Sequence, residues 1–215
     1  LLLERRERSL VSFYYPAVDD ITHKFGPGSS QLQFQLEHLD QGLVWLAQQL
    51  EKSVRRHTLL ALASDHGQCA FDPRRTITLT PERRRCYEQA GIFALGFSGR
   101  VVHVYCAPEH SALARSLLAE DVGDIGSILS SEEAAELAGG AGQVHPDFRQ
   151  RMGELVVVLH PGGRFKLIKE EKDPAHAPAS PYFDFYTSNH GSLTASELLV
   201  PTLFATLQDL WEAAK

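Results

Sequence analysis

Thr58-Leu59-Leu60-Ala61-Leu62-Ala63-Ser64-Asp65-His66-Gly67 is the stretch on which the fold turns. An almost unbroken apolar run leads straight into a carboxylate, an imidazole and a glycine. Such a run is the mark of a strand covered on both faces, as in a parallel sheet. Nothing about packing asks for Asp and His straight after it, since a carboxylate at the end of a sheet needs a partner. A helix-capping Asp65 and a hydrogen-bonded His66 are the plain structural alternative.

Upstream, Leu10 to Tyr15 reads as a strand ended by Pro16, with a loop carrying Asp19 and His23 after it. Gly26-Pro27-Gly28-Ser29-Ser30 is a turn whose serines can cap a helix. That helix is expected over Gln31 to Lys52, where Leu32, Leu36, Leu39, Leu43, Leu46 and Leu50 recur at helical spacing. Core packing is the expected role of these leucines and of Trp45. Strand, helix and strand with ligand-type residues at both carboxyl ends make a βαβ unit, and ligands in open α/β sheets gather at those ends.

Downstream the pattern changes. Short strands are expected over Thr76 to Thr80, Val101 to Cys106, Ile125 to Leu129 and Glu154 to Leu159. Helices are expected over Glu109 to Glu120 and from Ser131, where Glu132 and Glu133 suit a first turn. Gly139 to Gly142 and the proline-rich stretch from Asp173 to Pro181 read as loops, and Pro161-Gly162-Gly163 as a turn. Leu198 to Leu207 should return to the central sheet, and the last residues from Gln208 should be helical. Roughly 81–180 is expected to be an inserted α+β layer, with 1–80 and 181–215 as the α/β core.

The chain has 215 residues, a net charge of −6 and ten histidines. One α/β domain of that length can bury a sizeable core. The mild acidic excess argues against a nucleic-acid-binding role, which needs a basic face. No stretch approaches the roughly 20 apolar residues that cross a bilayer. Leu1-Leu2-Leu3 is followed at once by Glu4-Arg5-Arg6-Glu7-Arg8, which is not the pattern of a signal peptide. The first residue is not methionine, so amino-terminal signals cannot be read, and a cytoplasmic setting is only the default expectation. Cys69, Cys86 and Cys106 show no C-x-x-C spacing and read as three partly buried thiols rather than a zinc-thiolate site or a disulfide scaffold.

The chemistry resides in Asp19 and His23, four residues apart, in Asp65-His66, and in His190 within Thr187-Ser188-Asn189-His190-Gly191-Ser192. Carboxylates and imidazoles of this kind can hold divalent metal, and metal can make water a nucleophile at neutral pH. Asp20 is set aside because it stands three, not four, residues from His23. Arg83-Arg84-Arg85 reads as a solvated charge run.

Taken together, the three segments resemble the type I phosphodiesterase/nucleotide pyrophosphatase family of the alkaline phosphatase superfamily. The resemblance rests on Tyr15-Pro16, Asp19, His23 and Gly26-Pro27 with Ser29, on Ser64-Asp65-His66-Gly67, and on Asn189-His190-Gly191-Ser192. Val144 to Glu154 is also similar to bacterial members. The resemblance implies a mostly parallel sheet flanked by helices, with the amino-terminal part of that fold lying outside this sequence. It implies that Asp19, His23 and His190 form one metal site and that Asp65 and His66 supply part of a second, most suitably for two zinc ions. Ser64, Thr187 and Asn189 are candidates to orient the ligands. His145, His160 and His176 match no segment and read as surface or structural residues.

The family's threonine or serine nucleophile and its remaining aspartate ligand precede the segment with which this chain opens. Ser9 and Ser12 stand too close to the first motif to replace that nucleophile. The expectation is therefore a phosphodiester or pyrophosphate hydrolase represented by its carboxyl-terminal portion, inactive alone, with a phosphate-ester small molecule as substrate and the missing amino-terminal segment as partner. The alternatives are another superfamily hydrolase (phosphomonoesterase, phosphonate hydrolase or sulfatase) or a non-catalytic metal-binding fragment.

Overall fold

The computed structural model describes residues 8–139, 144–168 and 185–215. The best-packed part is a four-stranded antiparallel sheet. Its strands are β4 (Ile92–Ser98), β5 (Val101–Cys106), β6 (Gly126–Ser130) and β7 (Leu155–Leu159), in the order β4-β5-β7-β6. All five residues of β7 are buried, as its uninterrupted apolar run demands. On one face, Val102, Val104, Leu155, Val157 and Leu159 pack with Ala114, Leu118 and Val122 of helix α5 (Ser111–Val122) and with Tyr87 of α4 (Pro81–Gln89). On the other, Val156 and Val158 meet Ala134 of α6 (Ser131–Gly139) and Met152 of α7 (Phe148–Met152). Ile77 and Leu79 of β3 (Thr76–Leu79) extend the first core, and β3 pairs in parallel with β8 (Arg164–Leu167).

The segments bearing the site motifs are arranged differently from expectation. Leu10 to Tyr15 forms no strand, since no described segment pairs with it, and Leu10, Phe13 and Tyr14 stand exposed. Asp19 and His23 are not on a loop but on a helix, α1 (Ala17–Phe25). Pro16, read as a strand terminator, is the helix N-cap. Asp19 and Asp20 suit the positive end, and Gly26 at φ +89° ends the helix with its N–H on the Thr22 carbonyl. Helix α2 (Ser30–Gln48) is capped by Ser29, whose hydroxyl accepts the Leu32 N–H, as the sequence suggested. It stops short of Lys52, where a separate helix α3 (Lys52–His57) begins. Trp45 and Leu36 of α2 are exposed rather than core residues, while Leu50, just beyond it, is buried.

Strand β1 (Leu59–Ala63) exists where expected, but it pairs antiparallel with β10 (Thr202–Thr206), with Ala61 opposite Phe204. The βαβ unit is thus absent among the described residues. Within them β1 is also not covered on both faces, since Leu59 and Phe204 are 68% and 69% exposed. A third pair joins β2 (Cys69–Ala70) to β9 (Ser188–Asn189), and a short helix α8 (Ala195–Leu198) follows. The chain then runs through β10 into α9 (Leu207–Ala213), which is closed by a Thr206–Asp209 capping box. Arg55 ties α2, α3 and α9 together, donating to the carbonyls of Ala47 and Leu50 and to Gln208 Oε1.

The loops expected at Gly139 to Gly142 and at Asp173 to Pro181 lie almost wholly outside the described residues, and the turn at Pro161 to Gly163 is present. No described helix is long and apolar enough to cross a membrane.

The two parts of the chain should respond unequally to truncation. Leu118→Ala, at a 1% exposed position in the sheet–helix core, is expected to cost about 2–5 kcal/mol in urea unfolding. Phe204→Ala, on the open face of β10, should stay within about 0.5 kcal/mol.

Candidate metal centre

Three chain segments converge at the site. Helix α1 places Asp19 and His23 one turn apart on the same face. The loop after β1 presents Asp65 and His66, and the chain leaving β9 presents His190. His66 and His190 stack with ring centroids 3.5 Å apart and planes 15° apart, and the His23 ring lies 5.2 Å from that of His190. Asp19 Oδ1 is 3.4 Å from His23 Nε2 and 4.0 Å from His190 Nε2. Ligand atoms of Asp19, His66 and His190 all lie within 4.8 Å of one another. Asp65 Oδ1 is 3.6 Å from His66 Nε2, with its own side chain largely exposed. The five side chains singled out in the sequence therefore share one region. The tightest grouping draws His66 towards Asp19 and His190, across the two-site division that the resemblance implied.

The hydrogen bonds fix which ring nitrogens are free. His23 Nδ1 is 3.0 Å from the Ser188 carbonyl, and His66 Nδ1 is 3.1 Å from the Gly67 carbonyl. A carbonyl can only accept, so each Nδ1 carries a proton, and in the neutral imidazole each Nε2 keeps its lone pair. An Nδ1–H resting on a backbone carbonyl is how ligating histidines are usually held, and it leaves both Nε2 atoms facing carboxylates. Burial, then the neighbouring His66 imidazole, pushes the His190 pKa below its ordinary value, so this ring is neutral at pH 7 and can donate its lone pair.

Sequence reasoning missed two supporting residues. Gln68 Nε2 donates to Asp19 Oδ1 at 2.5 Å, and the Ser188 hydroxyl lies 2.7 Å from Gln68 Oε1 and 2.6 Å from the Thr22 carbonyl. Gln68 directly follows the Ser-Asp-His-Gly segment, so its position was the available signal. Of the orienting candidates, Ser64 donates to the His66 carbonyl at 2.5 Å and Asn189 Oδ1 accepts the His190 N–H at 2.8 Å. Thr187 meets the end of α1 chiefly through its backbone N–H, 2.8 Å from the His23 carbonyl. Tyr186 stacks on His23 at 4.5 Å.

Other histidines stand apart. His145 pairs with Asp147, while His160 is engaged by Ser127 and the Asp124 carbonyl. His176 lies outside the described residues. Arg83 is not a freely solvated charge, because Asp121 and Glu120 bind its guanidinium at 2.6 and 3.0 Å.

The sequence profile of the type I phosphodiesterase/nucleotide pyrophosphatase family matches residues 2–186. No curated protein matches the chain in sequence. Murine ectonucleotide pyrophosphatase/phosphodiesterase 5 is similar in structure, with a TM-score of 0.63 and 19% identity over 91% of this chain and 50% of that one. The human protein of the same name gives 0.61 and 17% over the same shares. Phosphonoacetate hydrolase from Sinorhizobium meliloti 1021 gives 0.52 and 18%, over 86% of this chain and 43% of that one. At such identities the likeness establishes the fold, a partial alkaline-phosphatase-like α/β architecture. The chain spans about half the length of these structures.

Replacement of a ligand should remove metal from the protein. His23→Ala and His190→Ala are each expected to weaken zinc binding by more than about a hundredfold in chelator competition, beyond what loss of a mere orienting partner produces. His145→Ala should bind as the unaltered chain does, and equal metal content in all three variants would contradict the assignment.

Proposed function

The chain belongs to the type I phosphodiesterase/nucleotide pyrophosphatase family, and from that membership we propose that it is the metal-binding portion of a hydrolase of phosphodiester or pyrophosphate bonds. The observation that carries this reading is the convergence of Asp19, His23, His66 and His190 from three segments, with the Nε2 lone pairs of His23 and His66 left free. Asp19, His23 and His190 would hold one divalent ion, and Asp65 with His66 would supply part of a second site. Imidazole and carboxylate donors suit zinc. Such ions, when bound, neutralise an anionic ester, hold its oxygens in line and acidify water.

The chain's own residues supply orientation. The Ser188 carbonyl sets the His23 tautomer, Gln68 steadies the Asp19 carboxylate, and burial keeps His190 neutral. In this reading a hydroxyl nucleophile comes from polypeptide outside these 215 residues, packed against the open face of the β1–β10 pair. Leu59 and Phe204 on the β1–β10 pair, and Phe34 and Trp45 on α2, are each more than 60% exposed, and exposed apolar faces of this kind mark interaction sites. The described residues between 81 and 180 would serve as an inserted layer beside the site. A solved structure of an inactive variant of the murine relative is in complex with AMP, which supports a nucleotide-type phosphoester as substrate class.

A phosphonate hydrolase is the second reading, favoured by the likeness to phosphonoacetate hydrolase. A single substrate panel tests both. The full product of the reading frame is expected to turn over bis-p-nitrophenyl phosphate in preference to p-nitrophenyl phosphate, p-nitrophenyl sulfate and phosphonoacetate. The 215-residue chain alone should remain near the uncatalysed rate. Full turnover by the chain alone, or action confined to phosphonoacetate or the sulfate ester, would contradict the proposal.

A further inference from the structure

We infer that Glu197, anchored by Arg100, is a positioning residue that sets the spacing of the His66 and His190 rings. The inference rests on the metal-site reading above and adds a control element outside the ligand set. Glu197 is on α8, 2% exposed, and Arg100 is fully buried. The Glu197 backbone carbonyl accepts the N–H of Gly67, the residue after His66, at 2.8 Å. Its Oε1 accepts the N–H of Ser192, two residues after His190, at 2.9 Å. Its Oε2 accepts from Thr194 Oγ1 at 2.5 Å and from the Arg100 guanidinium. One residue is therefore bonded to both segments whose rings stack.

Arg100 fixes that residue from the opposite side. Its guanidinium also donates to the carbonyls of Leu159, His160 and Gly163, which places it at the end of β7. Its backbone N–H donates to the His190 carbonyl at 2.9 Å. The backbones approach with no side chain between them. A Cβ on Gly67 would sit 2.1 Å from the Ser196 carbonyl oxygen, and one on Gly99 would sit 2.1 Å from the His190 carbonyl oxygen. With no slack at either contact, the β4–β5 hairpin and α8 together determine where the two imidazoles stand.

Two variants probe this without removing a ligand. Every partner of the Glu197 carboxylate is a donor, so Glu197→Gln must turn an NH₂ towards one of them while keeping the side-chain volume. Glu197→Asp keeps the charge and draws the carboxylate back by one methylene, so that it cannot reach all its donors at once. In both variants the nuclear Overhauser contact between the His66 and His190 ring protons should be lost, while cross-strand contacts between Val102 and Val157 persist. Zinc affinity, measured by titration with ZnCl₂, should fall 10- to 100-fold, the range for lost outer-shell support. Ring contact and zinc affinity both unchanged in a folded variant would overturn the inference. Should Glu197→Gln unfold, Glu197→Asp carries the same reading. Should the unaltered chain take up no zinc, the metal-site reading falls by itself, and the ring contact still decides: its loss in the variants supports positioning by Glu197, and its retention refutes it.

Discussion

The buried ion pair between Arg100 and Glu197 is the constraint on which the rest depends. Removing both charges from water costs several kcal/mol each, and only near-complete hydrogen bonding offsets that cost. Here the guanidinium meets three carbonyls and a carboxylate, and the carboxylate meets an amide, a hydroxyl and the guanidinium. The pair joins a well-packed four-stranded sheet to segments with little core of their own. Strands β2 and β9 are two residues each, and α8 is four residues long. Elements so short hold a defined geometry only when something rigid fixes them, and the sheet supplies the rigidity through Arg100.

The electrostatics of the site follow from that scaffold. Three imidazoles beside two carboxylates form a donor set that is polar and partly enclosed. Backbone carbonyls accept the Nδ1–H of His23 and of His66, burial favours the neutral form of His190, and Gln68 donates to one oxygen of Asp19. Each device turns donor atoms towards one another, an arrangement that a cation-binding centre requires.

Much of this was legible in the sequence, and the failures have physical causes. Strand β7 announces itself because five consecutive buried apolar residues have few other uses, and β5, β6 and α5 follow ordinary periodicity. Strand β4 was missed because its apolar residues are interrupted by Gly96 and much of it is exposed. Helix α1 was read as a loop since Pro16 is compatible with either a strand end or a helix start. The apolar run of β1 was read as a parallel strand covered on both faces, yet its described partner is antiparallel and one face stands open. The five candidate residues stand out by motif, and the structure brings them into one region. Their mutual geometry was not legible, and neither was the role of Glu197, whose partner lies 97 residues away. Pairings of that separation leave no local pattern.

The central claim is that these carboxylates and imidazoles grip a cation together. X-ray absorption at the zinc edge, on the chain loaded with one equivalent of zinc, tests it most directly. The account predicts a first shell of nitrogen and oxygen near about 2.0–2.1 Å with the outer scattering of imidazole rings and no sulfur. A shell of water oxygens alone, or sulfur near about 2.3 Å from Cys69, Cys86 or Cys106, would contradict it.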